Sequence, residues 1–184
     1  MFMVVDEYSS LVREILDCRK CSLHVGRNRA VPGEGNINAK LMFIGEAPGG
    51  EEDVQGRPFV GRAGKLLRRI LMDLGFKVED VYITNVVKCR PPENRRPNPL
   101  EMEACRPYLE RQLRIIDPKI IVLLGNTARD FFFKSNVLER GKIFRDFTGR
   151  IYFYTYHPSA CLRNPNLTSI FKSHMEMIKG IYMK

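Results

Sequence analysis

Four short apolar runs, separated by longer amphipathic stretches, constrain the fold of this chain more than any other feature of its sequence. They have strand length and are rich in β-branched and aromatic residues: 40–45, 81–87, 119–125 and 151–156. The first three are almost continuously apolar, which is typical of strands covered on both faces. Because helical patterns lie between the runs, the alternation predicts an α/β fold, a parallel sheet with helices on both faces.

Five segments carry helical periodicity: 8–16, 63–74, 99–116, 126–133 and 169–182. Apolar residues form one stripe in each of the two longest internal patterns, which end before a glycine and a proline respectively. The chain has 184 residues, of which 44% are apolar and 28% charged, a globular composition without repeats or linkers. We therefore expect a single domain over residues 1–184.

The charge balance favours an anionic partner. Lys and Arg number 30 against 21 Asp and Glu, which gives a formal charge of +9. Nucleic acid and an acidic surface both fit this charge. The apolar N-terminal run, 1–5, is too short for a signal peptide, and no later run approaches the ~20 residues that a bilayer requires. We expect a cytoplasmic protein without a membrane partner, in which thiols stay reduced.

Four of the five cysteines suggest a soft-metal site. Cys18 and Cys21 form a C-x2-C pair, and Cys89 and Cys105 supply two more thiols. Zinc and iron–sulfur clusters both use such ligands, and a redox pair is a further reading of C-x2-C. A zinc ribbon places its second pair close together, so the wide spacing of Cys89 and Cys105 favours a cluster. Cys161 is expected to be a small buried residue.

Two histidines are less informative than the cysteines. His24 follows the C-x2-C pair and is compatible with a zinc ligand or with a surface position. His174 lies on the apolar stripe of the last helical pattern and is expected to be structural.

The interval between Cys89 and Cys105 is basic and rich in proline. It contains Arg90, Arg95 and Arg96 among four prolines. Proline restricts the backbone, so these guanidinium groups are expected at fixed positions. A stiff basic loop is predicted to contact the phosphate backbone of nucleic acid, although a solvated surface loop would have the same composition.

Polar segments follow three of the predicted strands: 45–49, 85–90 and 157–159. Sites in parallel sheets form beyond the carboxyl ends of the strands, so these segments predict an active site. Neither the phosphate loop G-x4-G-K-[ST] nor G-x-G-x-x-G is present at the glycine-rich turns, which argues against a nucleotide site of those types.

These segments resemble the motifs of the iron–sulfur (type 4) uracil-DNA glycosylases. The matching stretches are GEAPG at 45–49, GRPFVGRAGKLL at 56–67, TNVVKCRPP at 84–92 and HPSA at 157–160. Cys18, Cys21, Cys89 and Cys105 fall where that family places its cluster ligands. The resemblance spans about residues 11–175. It implies a four-stranded parallel sheet in an α/β/α sandwich, a [4Fe–4S] cluster, and hydrolysis of the N-glycosidic bond of deoxyuridine in DNA.

The resemblance would form the uracil pocket from Glu46, Ala47, Phe59, Asn85 and His157, with Glu46, Asn85 and His157 as catalytic residues. Phe59 would stack on the flipped base, an interaction typically worth about 1–3 kcal/mol. The Asn85 amide matches the O4 and N3–H edge of uracil and mismatches cytosine. Backbone N–H groups around Glu46 and Ala47 would bind a carbonyl, and His157 would donate to O2 of the departing base.

Three further assignments follow from these motifs. Glu52 is the candidate wall that excludes the methyl group of thymine, although spacing does not separate it from Glu51 and Asp53. Ala47 is apolar where the cluster-free uracil glycosylases carry an aspartate. We therefore expect catalysis to depend more on stabilisation of the leaving group. The residue that positions the attacking water is not identified by the sequence. Arg163 follows the His157 motif and is expected to reach DNA.

Two other functions stay open at this point. One is a type 5-like glycosylase that acts on several deaminated bases, and the other is a non-catalytic, zinc-dependent DNA-binding module. The enzyme is expected to be monofunctional, without a lyase step. We expect a monomer that acts on uracil-containing DNA, with a sliding clamp as a candidate partner. Scarce glutamine (Gln55 and Gln112) hints at a thermophile.

Overall fold

Strands and helices alternate along the chain, as the hydrophobic pattern predicts. The computed structural model describes residues 2–133 and 137–183. The predicted domain 1–184 also includes Met1, residues 134–136 and Lys184, which lie outside the described residues. The elements are α1 (Phe2–Leu16), α2 (Leu23–Gly26), β1 (Glu34–Gly35), β2 (Leu41–Gly45), α3 (Gly50–Gln55), α4 (Arg62–Asp73), β3 (Val81–Asn85), α5 (Pro99–Ile116), β4 (Ile120–Leu124), α6 (Asn126–Phe132), β5 (Ile143–Arg145), β6 (Ile151–Thr155), α7 (Pro158–Arg163) and α8 (Leu167–Tyr182).

The sheet has six strands in the order β1-β3-β2-β4-β6-β5. The four central strands are the predicted ones, and all their pairings are parallel. The outer strands β1 and β5 pair antiparallel with β3 and β6, so the predicted wholly parallel sheet of four strands is incomplete. These edge strands have only two and three residues, none of them buried, and therefore lack the apolar signal of a strand.

Both faces of the sheet are covered, which confirms the predicted layers. Every residue of the four central strands is buried. In β2, Leu41 and Phe43 pack with the apolar stripes of α4 and α8, whereas Met42 and Ile44 face α1 and α5. This alternation follows from the two-residue period of a strand.

The longest helix has the predicted bounds because its ends carry strong local signals. Asn98 accepts the backbone N–H of Glu101 at 2.9 Å, while the Glu101 carboxylate accepts the backbone N–H of Asn98 at 2.8 Å, a capping box. Pro99 occupies the first turn, and Asp117 ends the helix in the left-handed conformation.

Other helices differ from the predicted segments. Helix α1 begins at Phe2 instead of residue 8. The short helices α2, α3 and α7 have six residues or fewer and show no periodicity to detect.

Two residues occupy the structural positions expected of them. Cys161 is buried in the core between the sheet and α8. The Nδ1 atom of His174 lies 2.8 Å from the Thr155 hydroxyl, and its ring packs edge-on against Phe153. Within the described part of the chain, no helix has the length and hydropathy needed to cross a membrane.

The strand order places a crevice at the carboxyl ends of β2 and β4. The chain moves from β2 to β3 on one side and then returns to β4 on the other side of β2. Ligands in sheets of this kind bind where the order reverses in this way. The segments that follow β2, β3, β4 and β6 therefore meet around one opening.

Candidate active site

A cavity of about 550 Å³ lies at the carboxyl ends of the central strands. Its lining includes all six residues that were predicted to bind the base: Glu46, Ala47, Glu52, Phe59, Asn85 and His157. They come from the ends of three strands, from α3, and from the segment that connects α3 to α4. The fold thus brings the predicted pocket residues to one place.

The Asn85 amide lies at the base of this cavity. Asn85 ends β3 directly beside Gly45, the last residue of β2. A Cβ atom on Gly45 would lie 2.4 Å from Asn85 Oδ1 and 2.6 Å from Phe59 Cζ, so only glycine allows the amide and the aromatic ring to meet here. Asn85 Oδ1 is buried and has no hydrogen-bond partner among the described residues. A buried unpaired acceptor is rare in native proteins and is suited to an incoming N–H donor.

Phe59 is held in a strained backbone conformation. Its φ angle is +53°, in the left-handed region that costs a non-glycine residue about 1–3 kcal/mol. Arg68 holds this turn, because Nε donates to Phe59 O and Nη2 to Pro58 O, both at 2.9 Å. Gly64 allows the turn to approach α4, since a Cβ atom there would lie 2.0 Å from the Phe59 carbonyl carbon. The ring is therefore fixed before any ligand arrives.

His157 is a neutral hydrogen-bond donor in this arrangement. It caps α7, where its Nδ1 atom accepts the Ser159 backbone N–H at 3.2 Å and lies 2.8 Å from the Ser159 hydroxyl. With Nδ1 as the acceptor of both groups, the proton of a neutral ring is on Nε2. Burial, with a smaller contribution from Arg163, lowers the pKa of His157 to about 4. Its ring centroid lies 5.7 Å from that of Phe59. A base that contacts both groups from the cavity would meet an aromatic face and an imidazole N–H.

Glu46 is anchored across the crevice. The Thr127 hydroxyl, near the start of α6, donates to Glu46 Oε2. Thr127 is buried, whereas Glu46 is half-buried and lines the cavity beside Ala47. Within the described ranges, Glu46 Oε1 has no hydrogen-bond partner. The arrangement fixes one carboxylate oxygen and leaves the other available.

The structure separates the three acidic residues that sequence spacing could not. Only Glu52 of the three lines the cavity among the described residues. Glu51 is exposed and lies 3.5 Å from Lys65 Nζ, and Asp53 is buried beside Asn28, whose backbone N–H it accepts at 3.0 Å.

The Glu52 carboxylate also holds the surrounding loops together. Oε2 accepts the Gly49 N–H at 3.1 Å, and Oε1 accepts the N–H groups of Val60 and Gly61 at 2.9 and 2.8 Å. These bonds connect the start of α3 with the start of α4. Glu52 is therefore a rigid part of the cavity wall.

The predicted DNA-contact arginines differ in their surroundings. Arg95, Arg96 and Arg163 line the cavity, whereas Arg90 is not among the lining residues and donates to Asn94 Oδ1 at 2.9 Å. Arg95 forms a two-bond ion pair with the buried Glu101, at 2.6 and 2.9 Å. The rim of the cavity is thus positively charged, but part of that charge is neutralised.

The four cysteines predicted as metal ligands gather at a second, smaller cavity, between α1, α5 and the segment after β3. Cys18, Cys21, Cys89 and Cys105 all line it, and Cys161 does not. No group of three or more His, Cys, Asp or Glu side chains in residues 2–133 and 137–183 is arranged to hold a metal ion. The thiols surround a common space without converging on one point.

Nitrogen donors accompany these thiols. Arg27 Nη1 lies 3.0 Å from Cys89 Sγ, and the Lys88 backbone N–H lies 3.3 Å from Cys105 Sγ. Such N–H groups stabilise thiolates when they coordinate metal. His24 also lines this cavity, but its Nδ1 atom is 2.7 Å from the Cys21 carbonyl.

Sequence reasoning missed three residues at the site: Thr127, Arg68 and Arg140. Thr127 and Arg140 line the main cavity, and Arg68 fixes Phe59 from outside it. A signal for Thr127 was present, because it follows the third predicted strand and carboxyl ends of strands were already expected to form the site. Arg68 and Arg140 have no comparable signal in their sequence positions.

Comparisons with known proteins agree with this geometry. The model of the Uracil DNA glycosylase superfamily matches residues 32–178. The type-4 uracil-DNA glycosylase of Archaeoglobus fulgidus is 46% identical over 185 residues, which cover 95% of this chain and 92% of that protein. The corresponding protein of Thermotoga maritima is 47% identical over 186 residues, 97% of each chain. A type-5 uracil-DNA glycosylase of Pyrobaculum aerophilum is 29% identical over 190 residues, 83% of this chain and 82% of that protein. The resemblance seen in the motifs is confirmed, and the chain belongs to the type-4 family of the uracil-DNA glycosylase superfamily.

Proposed function

We propose that this protein removes uracil from DNA by hydrolysing the N-glycosidic bond of deoxyuridine, which leaves an abasic site for base excision repair. The observation that carries the proposal is the buried, unpaired Oδ1 atom of Asn85, beside the ring of Phe59 and in the same cavity as His157. In one bound pyrimidine, the amide would meet the N3–H edge, the aromatic ring would meet the face, and the imidazole would meet the O2 carbonyl.

Recognition follows from the chemistry of the base. A base that leaves the duplex loses stacking worth a few kcal/mol, and stacking on Phe59 returns about 1–3 kcal/mol. Asn85 Oδ1 accepts the N3–H of uracil, and the amide nitrogen donates to O4. Cytosine presents an acceptor at N3 and an amino group at C4, so the same fixed amide opposes it. The rigid Glu52 wall serves to exclude the methyl group of thymine.

Catalysis rests on stabilisation of the leaving group. When the C1′–N1 bond breaks, its electron pair stays with the base and negative charge develops on O2. A neutral His157 donates a hydrogen bond from its Nε2–H group to that oxygen and keeps the proton, which stabilises the developing anion. Water then adds its hydroxyl to C1′ of the cationic sugar, and the remaining proton neutralises the departing uracil anion. The free oxygen of Glu46 is suited to orient this water.

The four cysteines fit an iron–sulfur cluster better than a single ion. They supply four thiol ligands around a shared space, with N–H donors beside Cys89 and Cys105. We propose that Cys18, Cys21, Cys89 and Cys105 hold a [4Fe–4S] cluster. When bound, the cluster would cross-link the segment between α1 and α2, helix α5 and the loop that carries Arg90, Arg95 and Arg96, and its role would be structural.

The wider setting of the enzyme is also a proposal. We infer that residues 1–184 act as a single domain and as a monomer on uracil-containing DNA in the cytoplasm. Arg90, Arg95, Arg96 and Arg163 are proposed to contact the DNA backbone, which fits the formal charge of +9. A sliding clamp remains a candidate partner.

A panel of oligonucleotides tests the proposed function. Each duplex carries one uracil, hypoxanthine, cytosine or thymine at the same position, and alkali converts abasic sites to strand breaks before a sizing gel. The uracil duplex is expected to be cleaved, and the cytosine and thymine duplexes are expected to stay intact. Faster cleavage at hypoxanthine would instead indicate the broader type 5-like activity. No cleavage, with stoichiometric zinc in the protein, would indicate the non-catalytic DNA-binding module.

A further inference from the structure

Arg140 lines the same cavity as His157 but is not one of the residues proposed to bind the base. Its guanidinium carbon lies 4.2 Å from the ring centroid of Tyr156 and 4.9 Å from that of Tyr154. Nη2 donates to the Tyr154 hydroxyl at 2.6 Å and to Asn126 Oδ1 at 3.0 Å. These contacts fix an exposed arginine in one orientation, so less conformational entropy is lost when it binds a ligand.

The charge of Arg140 is not neutralised by the protein. Arg95, Arg96, Arg140 and Arg163 line the cavity, and the first two are paired with carboxylates. Arg140 and Arg163 form no ion pair with any described residue. In the same ranges, Nε and Nη1 of Arg140 have no hydrogen-bond partner. A fixed, unpaired guanidinium on a cavity wall favours an anionic group.

The orientation of the base, which rests on the proposed function, indicates which anion this is. His157 is assigned to O2 of uracil, and O2 is attached next to N1, the atom that carries the sugar. The sugar and its two phosphates must therefore leave the pocket on the side of His157. Tyr156, on which Arg140 stacks, immediately precedes His157. Arg140 thus lies on the side where the DNA backbone passes.

The size of the cavity agrees with this placement. Its volume of about 550 Å³ falls within the range of ~300–1,000 Å³ that is usual for sites of drug-sized ligands. This space is larger than one pyrimidine ring requires, so the cavity accommodates the sugar and adjoining phosphate groups as well.

We propose that Arg140 binds a phosphodiester directly beside the deoxyuridine, with Nε and Nη1 donating to its non-bridging oxygens. Tyr156 serves as the platform for the guanidinium, and Asn126 and Tyr154 set its orientation. Arg140 is thereby a substrate-binding residue that holds the nucleotide while the base occupies the pocket.

Arg140→Gln, measured with oligonucleotides that carry a neutral methylphosphonate on either the 5′ or the 3′ side of the deoxyuridine, tests this proposal. Anisotropy gives the affinity of each duplex, and single-turnover kinetics give the maximal rate of base release. Arg140→Gln is expected to weaken binding of the all-phosphate duplex about tenfold and to reduce the salt slope by about 0.9. One of the two methylphosphonates is expected to leave the affinity of Arg140→Gln unchanged. The same methylphosphonate is expected to weaken binding by the wild type about as much as Arg140→Gln weakens binding of the all-phosphate duplex.

Arg145→Gln is the matched control, because it removes the same charge from exposed strand β5, which does not line the cavity. Its affinity is expected to stay within twofold of wild type. The proposal is overturned if the wild type tolerates both methylphosphonates, or if the losses from Arg140→Gln and from each methylphosphonate simply add. The wild-type protein could instead bind more weakly to the duplex with one of the two methylphosphonates and yet release no uracil. That result would contradict the proposed function and still support the phosphate contact.

Discussion

At the scale of single residues, the unpaired amide oxygen of Asn85 decides how the cavity is interpreted. It is buried beside Gly45 and has no hydrogen-bond partner within the described part of the chain. A buried acceptor without a partner costs about 1–3 kcal/mol, which a ligand N–H recovers on binding. The sequence identified Asn85 through its position after a strand and through its motif. It did not show that Gly45 makes room for the side chain.

Asn85→Asp is predicted to reduce the single-turnover rate of uracil release at least about 100-fold. A carboxylate cannot donate to O4, and its charge repels both that carbonyl and the negative charge that develops on the base. Gel-based single-turnover kinetics measure the effect. Asn38→Asp makes the same chemical change at an exposed position and is expected to leave the rate unchanged. An unaltered rate for Asn85→Asp would remove the role assigned to this amide.

The pH dependence of the reaction tests the protonation state of His157. Burial lowers the pKa of His157 to about 4, below the ordinary value of 6.5, so the ring is neutral at any pH well above 4. At saturating enzyme, the single-turnover rate is predicted to show no inflection near pH 6.5. A rate that rises as the pH falls through 6.5 would mean that an imidazolium is the active form.

The stability linkage of His157 has the corresponding sign. Between pH 6.5 and 4 the unfolded chain binds a proton that the folded chain does not, so this histidine lowers stability as the pH falls across that window. His157→Asn is expected to flatten this part of the stability profile, as followed by urea unfolding at several pH values. An unchanged profile would show that His157 titrates normally in the folded protein.

At the scale of elements, segments with a clear apolar run or stripe could be predicted, and segments without one could not. The four central strands and the helix Pro99–Ile116 carry continuous apolar runs or stripes and strong end signals, and they formed as expected. The strand expected to reach Val87 ends at Asn85, because the chain turns there to carry Asn85 and Cys89 to different cavities. The helix Gly50–Gln55, which carries Glu52, is too short to leave a periodic trace. Which acidic residue faces the cavity depends on that helix, so spacing alone could not show it.

The turn at Phe59 depends on its close approach to α4. Gly64→Ala is predicted to lower the free energy of unfolding by about 1–3 kcal/mol and to reduce uracil release, because the added methyl group overlaps the Phe59 carbonyl. Gly180→Ala is the control, since nothing lies within 4 Å of its Cβ position in α8, and it is expected to be neutral or stabilising by up to about 1 kcal/mol. Chemical denaturation measures both. A Gly64→Ala protein as stable and active as wild type would contradict the packing described here.

At the scale of the whole molecule, two sites share one polypeptide segment. The stretch 85–105 begins at Asn85 in the main cavity, includes two of the four grouped cysteines and carries the basic loop between them. A cluster at the cysteines would therefore fix the loop that borders the main cavity. The C-x2-C pair and the two distant thiols could be predicted to meet. The N–H groups that accompany them depend on tertiary structure, which no spacing rule describes.

Substitution of a cysteine at the smaller cavity and substitution of Cys161 are expected to have different effects on bound iron. Cys89→Ser is predicted to lower bound iron and inorganic sulfide, the absorbance near 400 nm and the melting temperature together, because it removes one of the four proposed cluster ligands. Cys161→Ala removes the fifth cysteine, which lies in the core between the sheet and α8 and not at the smaller cavity. This variant is expected to keep the iron content at the wild-type level. Stoichiometric zinc in place of iron in freshly purified wild type would contradict the cluster assignment.

A crystal structure of the protein with free uracil tests the central claim most directly. One uracil is expected in the main cavity, with its ring stacked on Phe59, N3 about 2.7–3.2 Å from Asn85 Oδ1, and O2 at a similar distance from His157 Nε2. Uracil bound elsewhere, or bound in this cavity with its N3–H edge turned away from Asn85, would contradict it.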